Sequence, residues 1–251
     1  MDVKIAIHDL WKSFAGKQVL RGVHLDVARG ESLVIMGSSG SGKSVLLKHM
    51  IGLLKPDRGT IVIDGEDLTW SGAKAWSRVR RRTGMSFQEG ALFDSLNVFD
   101  NIAFPLRRHT DRSPDEIAAR VRECLELVHL EGIEKKAVNE LSGGMRRRVG
   151  FARAIVLEPE MLLLDEPNTG LDPITAALID RDLIEMRERL KITMVTITHH
   201  VDSALRIADR VAMLRGGRII AVAPPDEFRE LPDPYVRKFL AGEPFDEEDV
   251  A

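Results

Sequence analysis

Three things are scarce in this sequence. It has a single cysteine, Cys124, among 251 residues, which excludes an intramolecular disulfide and fits a reducing compartment. It has no uninterrupted apolar run near the ~18 residues needed to span a bilayer, and its first residues, MDVKIAIHDL, lack a basic stretch followed by a long apolar one. The chain is therefore expected in the cytosol, meeting a membrane only through a partner. Nor is there an excess of either charge: 36 Lys and Arg stand against 39 Asp and Glu, a net −3, so the molecule as a whole is no polyanion binder. Internal repeats and low-complexity blocks are missing too. What remains, 44% hydrophobic and 30% charged, suits one or two globular domains with a real core.

The patterns that are present alternate between strands and helices. IAIHDLWKSF and VLRGVHLDVARGESLVIMG read as short strands separated by turns, and GTIVIDGEDL alternates around Asp64-Gly65 like a hairpin. An antiparallel ribbon is expected ahead of the main sheet. SLVIMG, residues 32–37, is an apolar strand that runs into glycine and serine and then into a helical KSVLLKHMIGLL, a strand–loop–helix unit. From about Glu89 to Leu157 helical patterns take over, one of them opening on Ser113-Pro114 as N-cap and first helical position. MLLLDEP (161–167) and ITMVTITHH (192–200) return to continuous apolarity, with a helical PITAALIDRDLIEMRERL between them. Unbroken apolarity marks strands buried on both faces, as in a parallel sheet covered by helices. The ending EPFDEEDVA is acidic and expected to be loose.

Gly37-Ser38-Ser39-Gly40-Ser41-Gly42-Lys43-Ser44 fits G-x-x-x-x-G-K-[ST] after a strand and before a helix. Glycines let the backbone curl so that successive N–H groups and the helix N-terminus surround a β-phosphate, Lys43 adds a point charge, and Ser44 offers a hydroxyl to Mg²⁺. A nucleoside triphosphate is the expected ligand. Asp165 and Glu166 end the buried strand LLLDE, at the edge where ligands of parallel sheets sit. Asp165 suits the Mg²⁺ shell and Glu166 the polarisation of an attacking water. His199 ends the next strand and so emerges at the same edge, where it suits a hydrogen bond to a γ-phosphate. Gln88, after the strand RTGMSF, suits contact with Mg²⁺ or the water, while a solvent-facing loop amide is the plainer reading of that residue alone.

LSGGM, residues 141–145, poses a separate question. Ser142 is a good N-cap, and Met145, Val149, Ala152, Ile155 and Val156 follow at helical spacing, so Gly143 and Gly144 occupy a first helical turn. Gly there costs about 1 kcal/mol relative to Ala, so something must need the bare backbone. The exposed N–H groups and the positive end of the helix dipole make a second anion site. One triphosphate cannot fill both sites unless they converge. The simplest arrangement is a head-to-tail pair of chains, in which Ser142, Gly143 and Gly144 of one copy close over the γ-phosphate held by the other.

With the phosphate loop, Gln88, LSGGM, LLLDEP, TGLDP and His199 in that order, the chain resembles the ATPase subunit of ABC transporters over about residues 3–230. The resemblance implies an α/β fold, a RecA-like P-loop NTPase core with an antiparallel β subdomain and an inserted α-helical subdomain. Its domains would be a single ATPase domain over 1–235, with core and ribbon in 1–88 and 158–235, the helical subdomain in 89–157, and a C-terminal tail over 236–251. It implies ATP and Mg²⁺ as cofactors and a homodimer beneath an integral-membrane permease, at the cytoplasmic face of the inner membrane. Phe14 is then the aromatic that stacks on adenine, with Trp11 the second choice. Gly170-Leu171-Asp172 resembles the loop through which two copies touch, and Gln88 with the segment after it resembles the groove for a permease coupling helix. Three residues depart from the family pattern: Met145 replaces a glutamine, Asn168 a threonine, and His200 the aspartate after the switch histidine. The last leaves the orientation of His199 open.

SFQEGALFDSLNVFDNIAFPLR, LSGGM, DPITAALID and PDPYVRKFLAGEP are similar to the ATPase of the Mla type phospholipid transporters. That resemblance implies a phospholipid cargo moved between inner and outer membrane, and adds a lipid-transfer subunit and a small regulatory subunit as candidate partners. An importer of amino acids or other polar solutes is the alternative, because the permease and not the ATPase binds the cargo. A nucleic-acid role would draw on Arg80-Arg81-Arg82 and Arg146-Arg147-Arg148. Both runs are read as solvated faces, only a compact helical segment separates Ser44 from Leu141, and no nucleic-acid partner is expected.

Overall fold

The structure, a computed structural model, describes residues 2–87 and 91–244. The chain forms two compact units, one from Met1–Val79 with Val195–Ala251 and the other from Arg80–Met194.

In the first unit β1 (Val3–Phe14) and β2 (Lys17–Ala28) form an antiparallel ribbon. They turn at Ala15-Gly16, both at positive φ (46° and 82°), as a two-residue hairpin connection requires. These strands are longer than the short ones expected from sequence. Asp9 and Gly22 take positive φ (48° and 75°) where the register of the ribbon shifts; they are bulges inside continuous strands. β4 (Arg58–Ile63) pairs on the other edge of β1 and with β5 (Glu66–Asp67) through Asp64-Gly65 at φ 52° and 76°, the hairpin read from sequence. Ile5, Ile7, Leu10, Leu20 and Ile61 are fully buried in it.

The same unit contains β3 (Ser32–Met36), parallel to β9 (Arg210–Arg215), whose other neighbour is the antiparallel β10 (Arg218–Ala223). Most of β8 (Thr193–Thr198) lies beside β3, so the strand order here is β10-β9-β3-β8. Every residue of β3 and β8 is buried, as their unbroken apolarity requires. Helix α1 (Lys43–Met50) follows β3. It stops short of Leu54 because Gly52 turns to φ 64°, where a Cβ would stand 2.1 Å from the Trp76 ring. Trp76 belongs to α2 (Ala73–Arg81), and α7 (Val201–Ile207), α8 (Pro225–Arg229) and α9 (Pro234–Ala241) complete the unit. Residues 236–241, assigned to the tail from sequence, are therefore the body of a helix that Asp233 caps through the N–H groups of Tyr235 and Val236.

The second unit pairs β6 (Thr83–Ser86) in parallel with β7 (Met161–Asp165) and sets them with α3 (Val98–His109), α4 (Pro114–Leu127), α5 (Gly143–Ile155) and α6 (Pro173–Leu190). Ser113 and Glu116 close a capping box over α4 with Pro114 at its first position, the start read from sequence. Helix α5 packs on α3, α4 and β6, so closely that a Cβ on Gly84 would stand 2.4 Å from the Ala154 carbonyl oxygen.

Cys124 sits on the inner face of α4, fully buried. Burial pushes its thiol up from 9.0 to about 12, against the opposing pull of the Arg120 guanidinium. The thiolate is the reacting species, so at pH 8 the native chain is expected to react with a thiol reagent about 10³-fold more slowly than the urea-unfolded chain. Equal labelling rates in the two states would contradict this burial.

Candidate functional site

In the first unit the phosphate loop leaves β3 at Gly37, where a Cβ would stand 2.3 Å from the carbonyl oxygen of Leu214 on β9. Only glycine lets the loop start so close to the neighbouring strand. Gly40 and Gly42 take φ 78° and 107°, and the Ser41 N–H closes a turn onto the Ser38 carbonyl at 3.2 Å. Lys43 is buried, with its Nζ donating to the carbonyls of Gly37 (2.8 Å) and Ser38 (3.2 Å). The ammonium thus lies folded back along the inside of the loop.

Helix α1 begins at Gly42 with no side-chain cap and no acidic residue in its first turn. By contrast, Asn97, Ser113, Asp172 and Asp233 cap α3, α4, α6 and α9 with side-chain oxygens. The first-turn N–H groups of α1 suit an anion. So does Ser41, whose Oγ is buried with no hydrogen-bond partner among the described residues. Ser39 and Gly40 are exposed, Ser38 half-buried, and Ser44 takes the second position of α1.

Phe14 and Trp11 lie on β1 of the same unit, and the structure separates them. The Trp11 indole donates to Asp9 Oδ1 at 2.7 Å and lies under the Arg58 guanidinium, engaged within the ribbon. Phe14, at the tip, is 42% exposed, with Lys12 Nζ 5.4 Å from its ring. His199 is exposed just past β8, and its ring lies 4.4 Å from that of His200, the N-cap residue of α7. The histidine that departs from the family pattern is thus its direct ring neighbour.

In the second unit Asp165 ends β7, and Glu166 follows at φ 51°, a conformation that a residue with a side chain keeps only when its surroundings enforce it. Three residues, Thr169, Asn168 and Arg147, hold it. Thr169 Oγ1 donates to Glu166 Oε2 at 3.2 Å, and the Thr169 N–H meets the Glu166 carbonyl at 3.3 Å. Asn168, buried, donates to the buried Asp180 of α6 at 2.7 Å, which accounts for the amide in place of a hydroxyl. From α5, Arg147 reaches the same loop: its Nη1 donates to the carbonyls of Glu166 (3.1 Å) and Pro167 (2.5 Å), and its Nη2 to that of Thr169.

Ser142 caps α5, accepting from the Met145 N–H at 3.3 Å, and no acid stands in the first turn. Its two glycines differ. A Cβ on Gly144 would come within 2.8 Å of Thr175 Cγ2 on α6, whereas one on Gly143 would only touch Leu171 at an ordinary 3.5 Å. Among the described residues, a side chain at 144 would force Thr175 to shift, whereas one at 143 would not displace its neighbour. Gly143 instead borders a recess of about 440 Å³ lined also by Asp94, Val138, Arg146, Gly170 and Leu171.

The expectation that Arg146-Arg147-Arg148 forms a solvated face fails for two of the three. Arg146 is exposed, but Arg147 is buried, and Arg148 pairs with the buried Asp182 at 2.6 Å. The signal lay in the helical phase, since Arg147 stands one and two turns ahead of the buried Phe151 and Ile155. Gln88 lies outside the described residues. Among the described residues no cluster of three or more His, Cys, Asp or Glu could hold a metal ion, and no helix is long and apolar enough to cross a membrane.

Comparison with known proteins identifies the family of the chain. Residues 20–169 match the family described as ABC transporter. The probable ribonucleotide transport ATP-binding protein mkl of Mycobacterium leprae is 43% identical over 242 residues, covering 96% of this chain and 70% of the relative. The intermembrane phospholipid transport system ATP-binding protein MlaF of Escherichia coli K12 is 42% identical over 224 residues, 89% of this chain and 83% of the relative. Among solved structures, the ATP-binding cassette MJ0796, a dimer in a post-hydrolysis state bound to ADP and Pi, superposes with a TM-score of 0.80 at 30% identity, covering 88% of this chain and 98% of that one.

Proposed function

The chain belongs to the ABC transporter family, and from that premise we propose that two copies join head to tail around two ATP molecules, each held by the phosphate loop of one copy and the α5 N-terminus of the other. It is the ATPase subunit of an ABC transporter, with an α/β fold of RecA-like P-loop core, antiparallel β subdomain and helical insertion. In this reading Phe14 stacks on adenine, and residues 37–44 cradle the phosphates with Lys43 as their counter-charge. Ser44, Asp165 and Gln88 serve Mg²⁺. Glu166 polarises water, with Gln88 and His199 beside it at the γ-phosphate. Mg²⁺ would neutralise developing phosphate charge; the residues bind, orient and exclude water.

One observation carries the shared site: Gly143 is bare although, among the described residues, a Cβ there would meet only Leu171 at an ordinary 3.5 Å. Gly143→Ala is therefore expected to leave thermal stability equal or higher, by up to about 1 kcal/mol, while cutting ATP turnover by about 10²-fold through a methyl placed against the phosphate donors. Gly144→Ala should instead lower stability. Full turnover in a well-folded Gly143→Ala protein would remove α5 from the nucleotide site.

ATP binding draws the pair shut, hydrolysis reopens it, and the movement drives a membrane permease. The complex sits at the cytoplasmic face of the inner membrane, completed by a lipid-transfer subunit and a small regulatory subunit. Phospholipid moving between inner and outer membrane is the proposed cargo, on the strength of the similarity to MlaF along 89% of this chain. A polar-solute transporter is the second reading, favoured by the equal similarity to mkl, which is named for ribonucleotide transport. Lipid analysis of the purified membrane complex separates them: bound phospholipid and ATP-dependent lipid transfer between vesicles support the first, and turnover stimulated by a polar solute alone supports the second.

A further inference from the structure

Arg147 joins two parts of the second unit that have separate tasks in the shared-site reading, on which this inference rests. It springs from the first turns of α5, one turn after Gly143, and its fork ends on three carbonyls of the loop that carries Glu166. We propose that Arg147 is a positioning residue that couples the two ATP sites of the dimer. The α5 N-terminus of one copy meets the ATP held by its partner, whereas Glu166 of that same copy acts on the ATP held by its own phosphate loop. A shift of α5 as it takes up the partner's γ-phosphate is passed by Arg147 to the Glu166 backbone, and filling one site prepares the carboxylate of the other.

The geometry suits this task. A guanidinium spans several acceptors in a fixed plane, which a flexible ammonium cannot do. The side chain is 7% exposed, so its bonds are shielded from water and strengthened. The loop it holds contains a residue at φ 51°, a conformation sensitive to its restraints. The second anchor of the loop, Asn168 on Asp180, comes from α6 and gives an internal comparison: it fixes the loop from a helix other than the one that begins at Gly143.

The test measures ATPase rate against ATP concentration with the full-length chain in its membrane complex. The unsubstituted protein should be cooperative. Arg147→Ala and Arg147→Lys should bring the Hill coefficient to unity and lower kcat by about 10²-fold, with nucleotide affinity in the absence of hydrolysis unchanged within about twofold. Asn168→Ala should lower kcat and keep the cooperativity. If Arg147→Ala does not fold, Arg147→Lys decides alone, since it retains charge and stem but not the span. Cooperativity equal to that of the unsubstituted protein in a folded Arg147 variant overturns the coupling, as does its equal loss in Asn168→Ala. A Hill coefficient of unity in the unsubstituted protein overturns the shared-site reading together with the coupling.

Discussion

Replacing Glu166 with Gln is expected to lower ATP turnover by about 10²–10⁴-fold, the range associated with a positioned proton acceptor, while leaving the ATP-bound dimer intact and long-lived. The surroundings of the residue explain why the two effects should separate. The contacts of Arg147 are to main-chain carbonyls of the loop, and the Thr169 hydroxyl needs only an oxygen on the side chain at 166. An amide keeps the shape, the φ of 51° and one acceptor oxygen, and replaces the negatively charged oxygen that polarises water with a neutral N–H donor. Phosphate release and light scattering with Mg-ATP on one preparation would check both halves. Near-normal turnover would remove Glu166 from its role, and lost dimerisation would mean that the carboxylate is needed for closure.

Lys43→Ala is expected to fail earlier, at binding. Lys43 Nζ already lies inside the loop on the Gly37 and Ser38 carbonyls, so phosphate meets a cation held in place. A hydrogen bond to a charged group contributes about 1.5–3 kcal/mol, so its loss should raise the ATP dissociation constant by about 10–150-fold. Titration with a fluorescent nucleotide measures it, and an unchanged constant would count against the loop as the phosphate site. The variants fail differently: Glu166→Gln binds and stalls, and Lys43→Ala does not load.

Local signals were legible in the sequence, and longer-range ones were not. Ser113-Pro114 with Glu116, the Asp64-Gly65 hairpin, and the span of α6 from Pro173 to Leu190 each follow from side chains bonding their own neighbourhood. The end of α1 was misread because Gly52 turns under Trp76, a residue distant in sequence. The helix α9 was missed although Asp233-Pro234 announces it, because the acidic ending drew the segment into a loose tail. The ranking of Phe14 ahead of Trp11 came from the resemblance alone, and the Asp9 and Arg58 contacts that engage Trp11 within the ribbon could not be read from the sequence.

The phosphate motifs were readable because backbone chemistry dictates their residue types. Arg147 was not, because three adjacent arginines look alike and only helical phase separates the buried one from Arg146. The puzzle of the paired glycines resolves unevenly: Gly144 is explained by Thr175 on α6, and Gly143 by nothing among the described residues.

The sharing of each ATP between two copies is tested most directly by cross-linking in the Glu166→Gln background. One batch of chains carries Ser39→Cys and another Ser142→Cys, and Cys124 can stay because it is buried. Mixed and supplied with Mg-ATP, the two batches should form a disulfide-linked pair, and with ADP or no nucleotide they should not. A chain carrying both substitutions that links within itself, while the mixed batches stay unlinked with Mg-ATP, would contradict the account.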